Sequence, residues 1–466
     1  MPANFVNIDR DTPFLLPPDM REWVAYDDLV HFILEAVPRV DLHAFSVNRR
    51  GSGSQQFPPQ TLLALLIYCY SLKILSSRKI EIATYRDVGV RYLMGNRHVD
   101  HNTINRFRKN NKQAFRVAFL EVLKLASEIG ILKVGCVSVD GTRLPGSASK
   151  SRNLRYDRAD ALSQKLQADI DELLRLAEEA DSTPPDDGDR LPEKLAYREA
   201  LKKKIDAAKT RMEQRAREQA RADTAARQAD YEQRLAEREQ RIAEGQKRPG
   251  RVPAAPAAVD PTPASTMQSN LTDPDSRMLA RRGGPSVQGY NAQLAVDTAT
   301  MLVLNTFLVQ STDMGQLGRA VHGIDSSLGR TDCVLADSGY LSFKEIKALE
   351  AAGMDPHIAL GSAARRQYDF TPEPTSERKI KAPGEGKHAD PSLVAMKTKL
   401  ETDEGRRRYA LRQQTVEPVI GIIKDQGGMR RLERRGLEEA ESEWTLGCLA
   451  YNVKRLATLV RQNKAG

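Results

Sequence analysis

The sequence predicts a mixed α/β fold with a helical N-terminal region and a long helical insertion. Helical periodicity dominates roughly the first 130 residues, and short β-rich runs begin near residue 134 and again near residue 287. Between them, residues 151–250 return to a helical pattern with few apolar positions. Without that insertion, the remaining elements predict a mixed sheet with an antiparallel hairpin on one side.

Composition limits the possible function classes. The chain has 466 residues, 40% of them apolar, and a formal net charge of +9. A basic excess of this size is compatible with nucleic acid without proving it. The four cysteines are far apart and form no C-x-x-C pair, which excludes a disulfide framework and a cysteine zinc site. They are predicted to be reduced core residues: Cys69, Cys136, Cys333 and Cys448.

No segment predicts a membrane or secretory function. The longest apolar run, Thr61–Leu75, is interrupted by Lys73 and is too short to span a bilayer. The first ten residues lack the basic and then apolar order of a secretory signal. We therefore expect a cytoplasmic protein without a membrane partner.

The N-terminal region, residues 1–130, has the layout of a helix-turn-helix domain. A buried helix is predicted over Phe57–Leu75, followed by short amphipathic helices and a turn at Gly95–Val99. Asp100 is a good N-cap for one long helix over His101–Ile129.

The start of that long helix is crowded with polar side chains. They suit a recognition helix that reads base edges in the major groove, but they equally suit a solvated helix face. The sequence leaves both interpretations open. The candidates are Asn102, Thr103, Asn105 and Arg106, with Arg108 and Lys109 beside them.

The insertion predicts an antiparallel coiled-coil hairpin over residues 151–250. Leucine and isoleucine recur every three or four residues from Leu162 to Leu173, and Pro184–Gly188 interrupts the pattern. A second helix is predicted over Glu193–Glu244. Residues 251–286 are predicted to be a linker, because Pro, Ala and Ser are frequent in its first part.

The remaining elements are predicted from apolar runs and their boundaries. Two aspartates, Asp140 and Asp337, each follow a buried strand, and both are followed by turn-forming residues. The predicted strands are 134–139, 287–296, 302–309, 333–336 and 357–360; the predicted helices are 343–352, 409–424 and 437–460, and residues 364–407 are predicted to be a loop.

Asp140, Asp337 and Glu417 are the candidate catalytic residues. An acidic residue at the carboxyl end of a strand can project into a cleft, although a simple Asp-Gly or Asp-Ser-Gly turn is the more frequent explanation for either one alone. Glu417 lies beside Pro418 at a predicted helix start. Three carboxylates from separate elements suit Mg²⁺, which can promote an in-line displacement at phosphorus.

Basic residues surround the Glu417 segment. Between Gly405 and Arg435 there are nine Lys or Arg and three Asp or Glu. This local excess favours DNA over an ordinary solvated surface. Arg412 and Lys424 are predicted to hold DNA phosphates, and Arg430 and Arg431 extend the same basic run.

The ordered motifs resemble the bacterial insertion-sequence DDE transposases. Val139-Asp-Gly-Thr142 resembles the first aspartate motif, Ala336-Asp-Ser-Gly-Tyr340 the second, and Tyr409–Lys424 the Tyr-Arg-Glu-Lys signature. The resemblance implies an RNase H-like catalytic domain over residues 131–150 and 287–466. It further implies a helical DNA-binding domain over residues 1–130 and a catalytic triad of Asp140, Asp337 and Glu417.

The resemblance also implies cofactors, partners and an activity. Mg²⁺ or Mn²⁺ would bind the triad, and Tyr409, Arg412 and Lys424 would lie at the transposon end. The expected partners are the terminal inverted repeats, target DNA and a second copy of the chain, in a bacterial cytoplasm at the nucleoid. The expected activity is end cleavage followed by joining of the 3′-OH to target DNA. Alternatives are an RNase H-like nuclease without strand transfer and a catalytically inactive DNA-binding protein.

Overall fold

The computed structural model describes residues 19–41, 43–47, 56–180, 191–245, 252–281, 283–360, 368–369, 387–388 and 391–465. The chain divides into two compact units. Unit 1 comprises Met1–Thr142, Asn291–Leu432 and Glu438–Gly466, and unit 2 comprises Arg143–Tyr290 and Glu433–Leu437. The predicted mixed α/β class is confirmed.

The N-terminal part of unit 1 is helical and is built around the second helix. That helix is buried at every position from Leu62 to Ser71, because it is apolar on all sides and is surrounded by the others. None of the helices in the described ranges is long and apolar enough to cross a membrane. The helices are α1 Leu29–Ala36, α2 Pro59–Ser71, α3 Ser77–Arg86, α4 Val88–Leu93, α5 His101–Asn110 and α6 Lys112–Glu128.

The single long helix predicted over His101–Ile129 is wrong, because the chain breaks at Asn111. Asn111 has φ −120° and ψ 29°, outside the helical range. Its side-chain amide donates to the carbonyl of Phe107 at 2.8 Å and accepts from the amide of Ser46 at 2.7 Å. These side-chain bonds compete with the helical backbone bonds, as is common for asparagine. The predicted cap is confirmed, since Asp100 accepts from the amide of Thr103.

A six-stranded sheet forms the second half of the fold. Its central strands are β5 (Gly284–Asp297), β1 (Cys136–Pro145), β7 (Cys333–Ala336) and β8 (Asp355–Ile358), which are neighbours in that order. Strand β4 (Arg277–Arg281) lies beyond β5, and β6 (Val303–Val309) also pairs with β5. The β5–β6 hairpin is antiparallel and β1, β7 and β8 run parallel, which matches the predicted mixed sheet.

The C-terminal helix of unit 1 covers β6. Asn452 accepts from the amide of Val303 at 2.9 Å and donates to its carbonyl at 2.8 Å. The asparagine thus satisfies backbone groups of β6 as a neighbouring strand would. Trp444 is fully buried and donates to the hydroxyl of Thr306. The other helices of this half are α9 Leu317–His322, α10 Phe343–Ala351, α11 Pro391–Glu401, α12 Asp403–Asp425 and α13 Leu437–Ala465.

Unit 2 contains the predicted helical hairpin, and its two helices are antiparallel. Helix α7 (Tyr156–Ala180) packs against the first half of helix α8 (Leu191–Ala243). Polar pairs between them are Tyr156 with Glu213, Asp160 with Lys209, Ser163 with Asp206 and Asp169 with Arg198. The predicted break at Pro184–Gly188 lies outside the described residues.

Helix α8 is twice as long as its partner, and local interactions stabilise it. It has 53 residues with no glycine and one early proline, so its sequence contains no helix-ending residue at the point where it passes the start of α7. Side-chain bonds of the i,i+4 type recur along its second half. They join Gln214 to Glu218, Gln228 to Glu232, Gln233 to Glu237, and Gln240 to Glu244.

Two stretches predicted to be irregular contain regular structure. Residues 251–286 carry β3 (Gln268–Asn270) and β4, and β3 pairs antiparallel with β2 (Asn153–Arg155). The predicted loop 364–407 contains α11 and two short strands, β9 Tyr368–Asp369 and β10 Lys387–His388. The polar composition hid α11, whose inner face is only Leu393 and Met396. The rest of that predicted loop up to residue 390 lies outside the described residues.

Glycine at position 289 is required by a close approach of two strands in unit 2. An added Cβ would lie 2.0 Å from the carbonyl oxygen of Leu144 and 2.7 Å from the amide nitrogen of Gly146. We expect Gly289→Ala to lower the free energy of unfolding by about 1–3 kcal/mol through overpacking. Gly421→Ala is the matched control. Its Cβ would meet nothing within 4 Å, and it should add about 0.5–1 kcal/mol of helix stability. Thermal unfolding of both variants measures this, and equal midpoints would contradict the close-approach explanation.

Candidate active site

The site is organised by the parallel pairing of β1 with β7. Their registered partners run from Cys136 with Cys333 to Val139 with Ala336. The next residue on each strand is therefore Asp140 on one and Asp337 on the other. Parallel neighbours present equivalent positions at the same sheet edge, so the pairing brings two of the predicted catalytic residues together.

The turn predicted at Asp140–Gly141 is wrong, because β1 continues to Pro145. The absence of a side chain at Gly141 lets β1 pass close to Asp313 and Gln293. An added Cβ would lie 2.1 Å from an oxygen of Asp313 and 2.6 Å from the side-chain nitrogen of Gln293. Asp140 instead accepts from the amide of Gly141 at 2.8 Å, which orients its carboxylate at the strand edge.

Asp337 lies at a tight bend directly after β7. Its carboxylate accepts from the amide of Gly339 at 2.8 Å and caps a short 3-10 helix over Ser338–Tyr340. The predicted strand end is therefore present here. The turn and the site are not alternatives, because the same carboxylate group takes part in both.

A third aspartate, Asp313, lies close to the two motif aspartates. Its Oδ1 atom accepts from the side-chain amides of Asn291 at 2.8 Å and Gln293 at 2.9 Å. Its Oδ2 atom is 3.4 Å from the position of a Cβ on Gly339. The packing around Gly141 and Gly339 therefore leaves room for this carboxylate.

Sequence reasoning missed Asp313. It follows β6 by four residues, whereas Asp140 and Asp337 continue directly from the registered pairs of their strands. Backbone bonds from Thr298 to Cys136 and from Gly146 to Gln288 show that β1 and β5 run in opposite directions. Since β6 is antiparallel to β5, β6 ends at the same edge as β1. In the sequence, an aspartate follows the apolar run of each of these strands, but only the strand order shows that the three aspartates share one edge.

The prediction that Glu417 lies at a helix start is wrong, because it lies in the middle of a helix. Helix α12 begins fourteen residues earlier, at Asp403, where the hydroxyl of Thr402 caps it. Pro418 lies inside this helix, and its missing amide hydrogen removes one backbone bond next to Glu417. Proline indicates a helix start only when the residues before it are not helical. The residues before Pro418 are helical, so it does not mark a start here.

Arg412 joins Glu417 to Asp140. Its Nη2 atom donates to Glu417 at 2.7 Å and its Nη1 atom donates to Asp140 at 3.1 Å. The guanidinium is buried and lies over the ring of Tyr409, 5.9 Å from its centroid. Its Nε atom is buried and has no hydrogen-bond partner among the residues that the structure describes. Arg412 was expected to face DNA phosphate, but its present partners are the two carboxylates.

Lys424 also contacts the first aspartate motif. Its ammonium donates to the hydroxyl of Thr142 at 3.0 Å. Thr142 is two residues beyond Asp140 on β1, and Lys424 is two helical turns beyond Glu417 on α12. Tyr409, Arg412, Glu417 and Lys424 thus share one helix whose side chains reach the carboxylates or the strand that carries Asp140.

Burial raises the pKa of Asp140 to about 6. Arg412 and the amide of Gly141 lower it, while the charges of Asp337 and Asp313 raise it further. The pKa of the fully buried Tyr340 is raised well above its ordinary value by burial and by the same three aspartates. The site therefore holds several like charges against a single buried guanidinium.

The donor chemistry of the site fits a hard divalent cation. The oxygens of Asp140, Asp337, Asp313 and Glu417 are the ligand type that Mg²⁺ and Mn²⁺ prefer. In the present arrangement, no three acidic, histidine or cysteine side chains among the described residues are grouped closely enough to hold a metal ion. Arg412 explains part of this, because it engages both Asp140 and Glu417.

The other predicted DNA-binding residues are spread over two further elements. Asn102, Asn105 and Arg106 are exposed on α5, but the side chain of Asn105 accepts from Arg108. Arg108 itself is buried and donates to Tyr70 and Leu75, so it belongs to the helical core. The remaining positions are Thr103, bonded to Asp100; Arg430, paired with Asp425; and Arg431, exposed.

Two protein-family models match the chain. A model described as a transposase DDE domain matches residues 254–453, and one described as a transposase domain (DUF772) matches residues 18–110. The first range contains Asp313, Asp337, Arg412 and Glu417, and the second covers α1–α5. No curated protein and no solved structure matches the chain.

Asp140 should make stability depend on pH in a specific direction. Its pKa is raised from 3.8 to about 6, so folding favours the protonated form and this contribution is lost as pH rises through that interval. Asp140→Asn removes the titration. Between about pH 4 and about pH 7.5, its stability relative to the natural protein should rise by about 2 kcal/mol. Thermal unfolding in a chelator at both pH values measures this, and a difference that is independent of pH would contradict it.

Proposed function

The chain belongs to the insertion-sequence DDE transposases, and we propose that it cleaves the ends of its element and joins them to target DNA. The family supports action on DNA and transposition. The observation that carries the finer proposal is the register of β1 and β7, which places Asp140 and Asp337 side by side with the Glu417–Arg412 helix against them.

Asp140, Asp337 and Glu417 are the proposed catalytic residues and would hold Mg²⁺ or Mn²⁺. When bound, such a cation lowers the pKa of an attacking oxygen and stabilises charge on the leaving oxygen. Asp313 adds a fourth carboxylate, which Asn291 and Gln293 hold in place. In the first reaction, water attacks the phosphodiester at the element's end and frees a 3′-OH. In the second, the oxygen of that 3′-OH bonds to a phosphorus of the target, the P–O3′ bond of the target strand breaks, and the target's own 3′-OH leaves with the proton.

Arg412 is proposed to exchange partners when DNA binds. Without DNA, its guanidinium compensates Asp140 and Glu417. A phosphate is also a strong bidentate acceptor for arginine, so the DNA end would compete with the carboxylates for the same donors. The carboxylates released in this way would be free to bind a divalent cation. Tyr409 and Lys424 flank this exchange and would contact the same DNA end.

The proposed DNA partners are the terminal inverted repeats and target DNA, and two copies of the chain are proposed to act together. Transposition requires two ends to be brought into one complex, and one active site serves one end at a time. The exposed residues Asn102, Asn105 and Arg106 on α5, together with Thr103, are proposed to read the repeat, and Arg430 and Arg431 to contact its backbone.

Two other activities remain distinguishable by experiment. A nuclease without strand transfer would release 3′-OH ends that never appear joined to target DNA. A catalytically inactive DNA-binding protein would bind ends without cutting them. The complete set of carboxylates argues against the inactive protein, because clustered like charges cost stability that a binding protein need not sacrifice.

The catalytic assignment predicts loss of chemistry with retention of binding. Asp337→Asn, Glu417→Gln and Asp140→Asn should each lower end cleavage and strand transfer by at least about a thousandfold, since each removes a carboxylate that would hold the divalent cation. Gel-shift affinity for the same end should stay within about threefold. Asp425→Asn, on the same helix as Glu417, is the control and should cleave normally. Wild-type activity in any of the three variants would remove that residue from the catalytic set.

The partner exchange of Arg412 predicts stronger cation binding when the arginine is removed. Without DNA, Arg412→Gln should bind Mn²⁺ about tenfold more tightly or better, because a positive charge no longer repels the ion from the carboxylates. The same variant should cleave DNA ends poorly. Arg430→Gln, which also removes an arginine that pairs with an aspartate, should bind Mn²⁺ as the natural protein does. Titration monitored by electron paramagnetic resonance measures this, and unchanged Mn²⁺ affinity in Arg412→Gln would refute the exchange.

A further inference from the structure

Unit 2 carries an open groove at the foot of the helical hairpin. The groove has a volume of about 560 Å³ and lies between the β2–β3 pair and the first turns of α7. Its floor is apolar and includes Leu154, Leu162 and Leu271, while its rim is basic. The basic residues that line it are Lys150, Arg152, Arg155, Arg158 and Lys165.

Of these five cations, Arg155 forms an ion pair, with Asp157 at 2.7 Å. The other four form no ion pair with an acidic side chain among the described residues. Lys150, Arg152, Arg158 and Lys165 are exposed on the groove's rim. Four like charges around one concave surface repel one another and attract a polyanion, since field lines concentrate in a cleft.

The rest of the hairpin surface is organised differently. Many cations on α8 lie against a neighbouring carboxylate, as Lys202 does with Asp206, Lys209 with Asp160 and Arg234 with Asp230. Those pairs are the ordinary pattern of a solvated charged helix. The groove differs because four exposed cations without an ion pair among the described residues surround one concave surface.

The backbone that carries these cations is firmly held. Strand β2 pairs with β3 residue by residue, from Asn153 with Asn270 to Arg155 with Gln268. Leu154 and Ala159 are buried in a cluster with Ile205, Ala208 and Met212 of α8. The groove is therefore formed before a ligand binds, which lowers the entropy lost on binding.

We propose that this groove binds the sugar–phosphate backbone of DNA. The unpaired cations provide contacts to phosphate oxygens, and the apolar floor can accept the deoxyribose faces between them. Hydrogen bonds to phosphate carry no sequence information, so the groove should hold any duplex equally well. The inference rests on the proposed function, because it takes DNA to be the substrate, but it assigns a contact that is separate from the catalytic residues.

The test neutralises the groove and compares it with a matched surface of the same unit. The groove variant carries Lys150→Gln, Arg152→Gln, Arg158→Gln and Lys165→Gln. The control variant carries Lys203→Gln, Lys204→Gln, Arg217→Gln and Arg221→Gln, four exposed positions of α8 with the same two lysines and two arginines. Both variants have the same net charge, so a difference between them reports location. Thermal midpoints should match that of the natural protein, since every substituted side chain is exposed.

The probes are a duplex that carries the element's terminal repeat and a random duplex of equal length. At about 0.1 M salt, the groove variant should bind both probes at least about tenfold more weakly, and its slope of log K against log salt should fall by about two to four counterions. The control variant should stay within about twofold. Equal losses in both variants, or no loss in the groove variant, would overturn the proposal. So would unchanged DNA binding accompanied by lost affinity for an acidic protein.

One further comparison separates this proposal from the proposed function. Cleavage of the terminal repeat is measured in the natural protein and in Asp337→Asn. If the natural protein cleaves but the groove variant binds DNA normally, the groove assignment is wrong and the transposase activity stands. If the natural protein neither binds nor cleaves the repeat, the proposed function fails first. Should the fourfold variant not fold, Arg152→Glu alone must still weaken both probes at least about threefold.

Discussion

The parallel pairing of β1 with β7 is the constraint on which the site depends. Because side chains alternate across a strand, a register shift of one residue would turn either Asp140 or Asp337 to the opposite face. The apolar residues before each aspartate prevent such a shift, since Val137, Val139, Val334 and Ala336 are all fully buried. The core therefore sets the position of the carboxylates, and the groups that bind them could be added around that fixed pair.

The same pairing brings negatively charged side chains close together, and the surrounding residues offset only part of their repulsion. Three aspartates meet at one sheet edge, and burial withdraws water that would otherwise screen them. Amide donors from Asn291, Gln293 and two glycines satisfy individual oxygens, and Arg412 supplies the buried positive charge. At Asp140, burial outweighs these interactions and raises the pKa to about 6, and the charges of Asp337 and Asp313 add to the rise. A protein selected for stability alone would not keep this arrangement, whereas one that must receive a cation and a phosphate gains from it.

The sequence predicted the parts of this protein that follow from short-range patterns. Apolar runs of valine, leucine and cysteine precede Asp140 and Asp337, so the two motif aspartates could be found without a structure. Asp313 could not, because its place depends on which strands are neighbours and in which direction each runs. Two helix boundaries were predicted wrongly. At Asn111, a hydrogen bond from Ser46, distant in sequence, helps to break a helix that was predicted to continue. At Pro418, a helix continues where one was predicted to begin. The groove was also hidden, although its cations all lie between Lys150 and Lys165, because β3 completes the concave surface from more than a hundred residues away.

The length of α8 has a consequence of its own. A straight α-helix of 53 residues measures about 80 Å, which is a little more than two turns of B-form DNA. Local side-chain bonds support the half of α8 that does not pack against α7. Each residue of that half therefore adds about 1.5 Å to the distance that the helix spans. Natural variants of this helix that gain or lose seven residues would change its reach by about 10 Å and keep nearly the same face outward. Insertions of other lengths would rotate that face. Length changes in α8 are therefore expected to keep its outward face only when they come close to a whole number of helical turns.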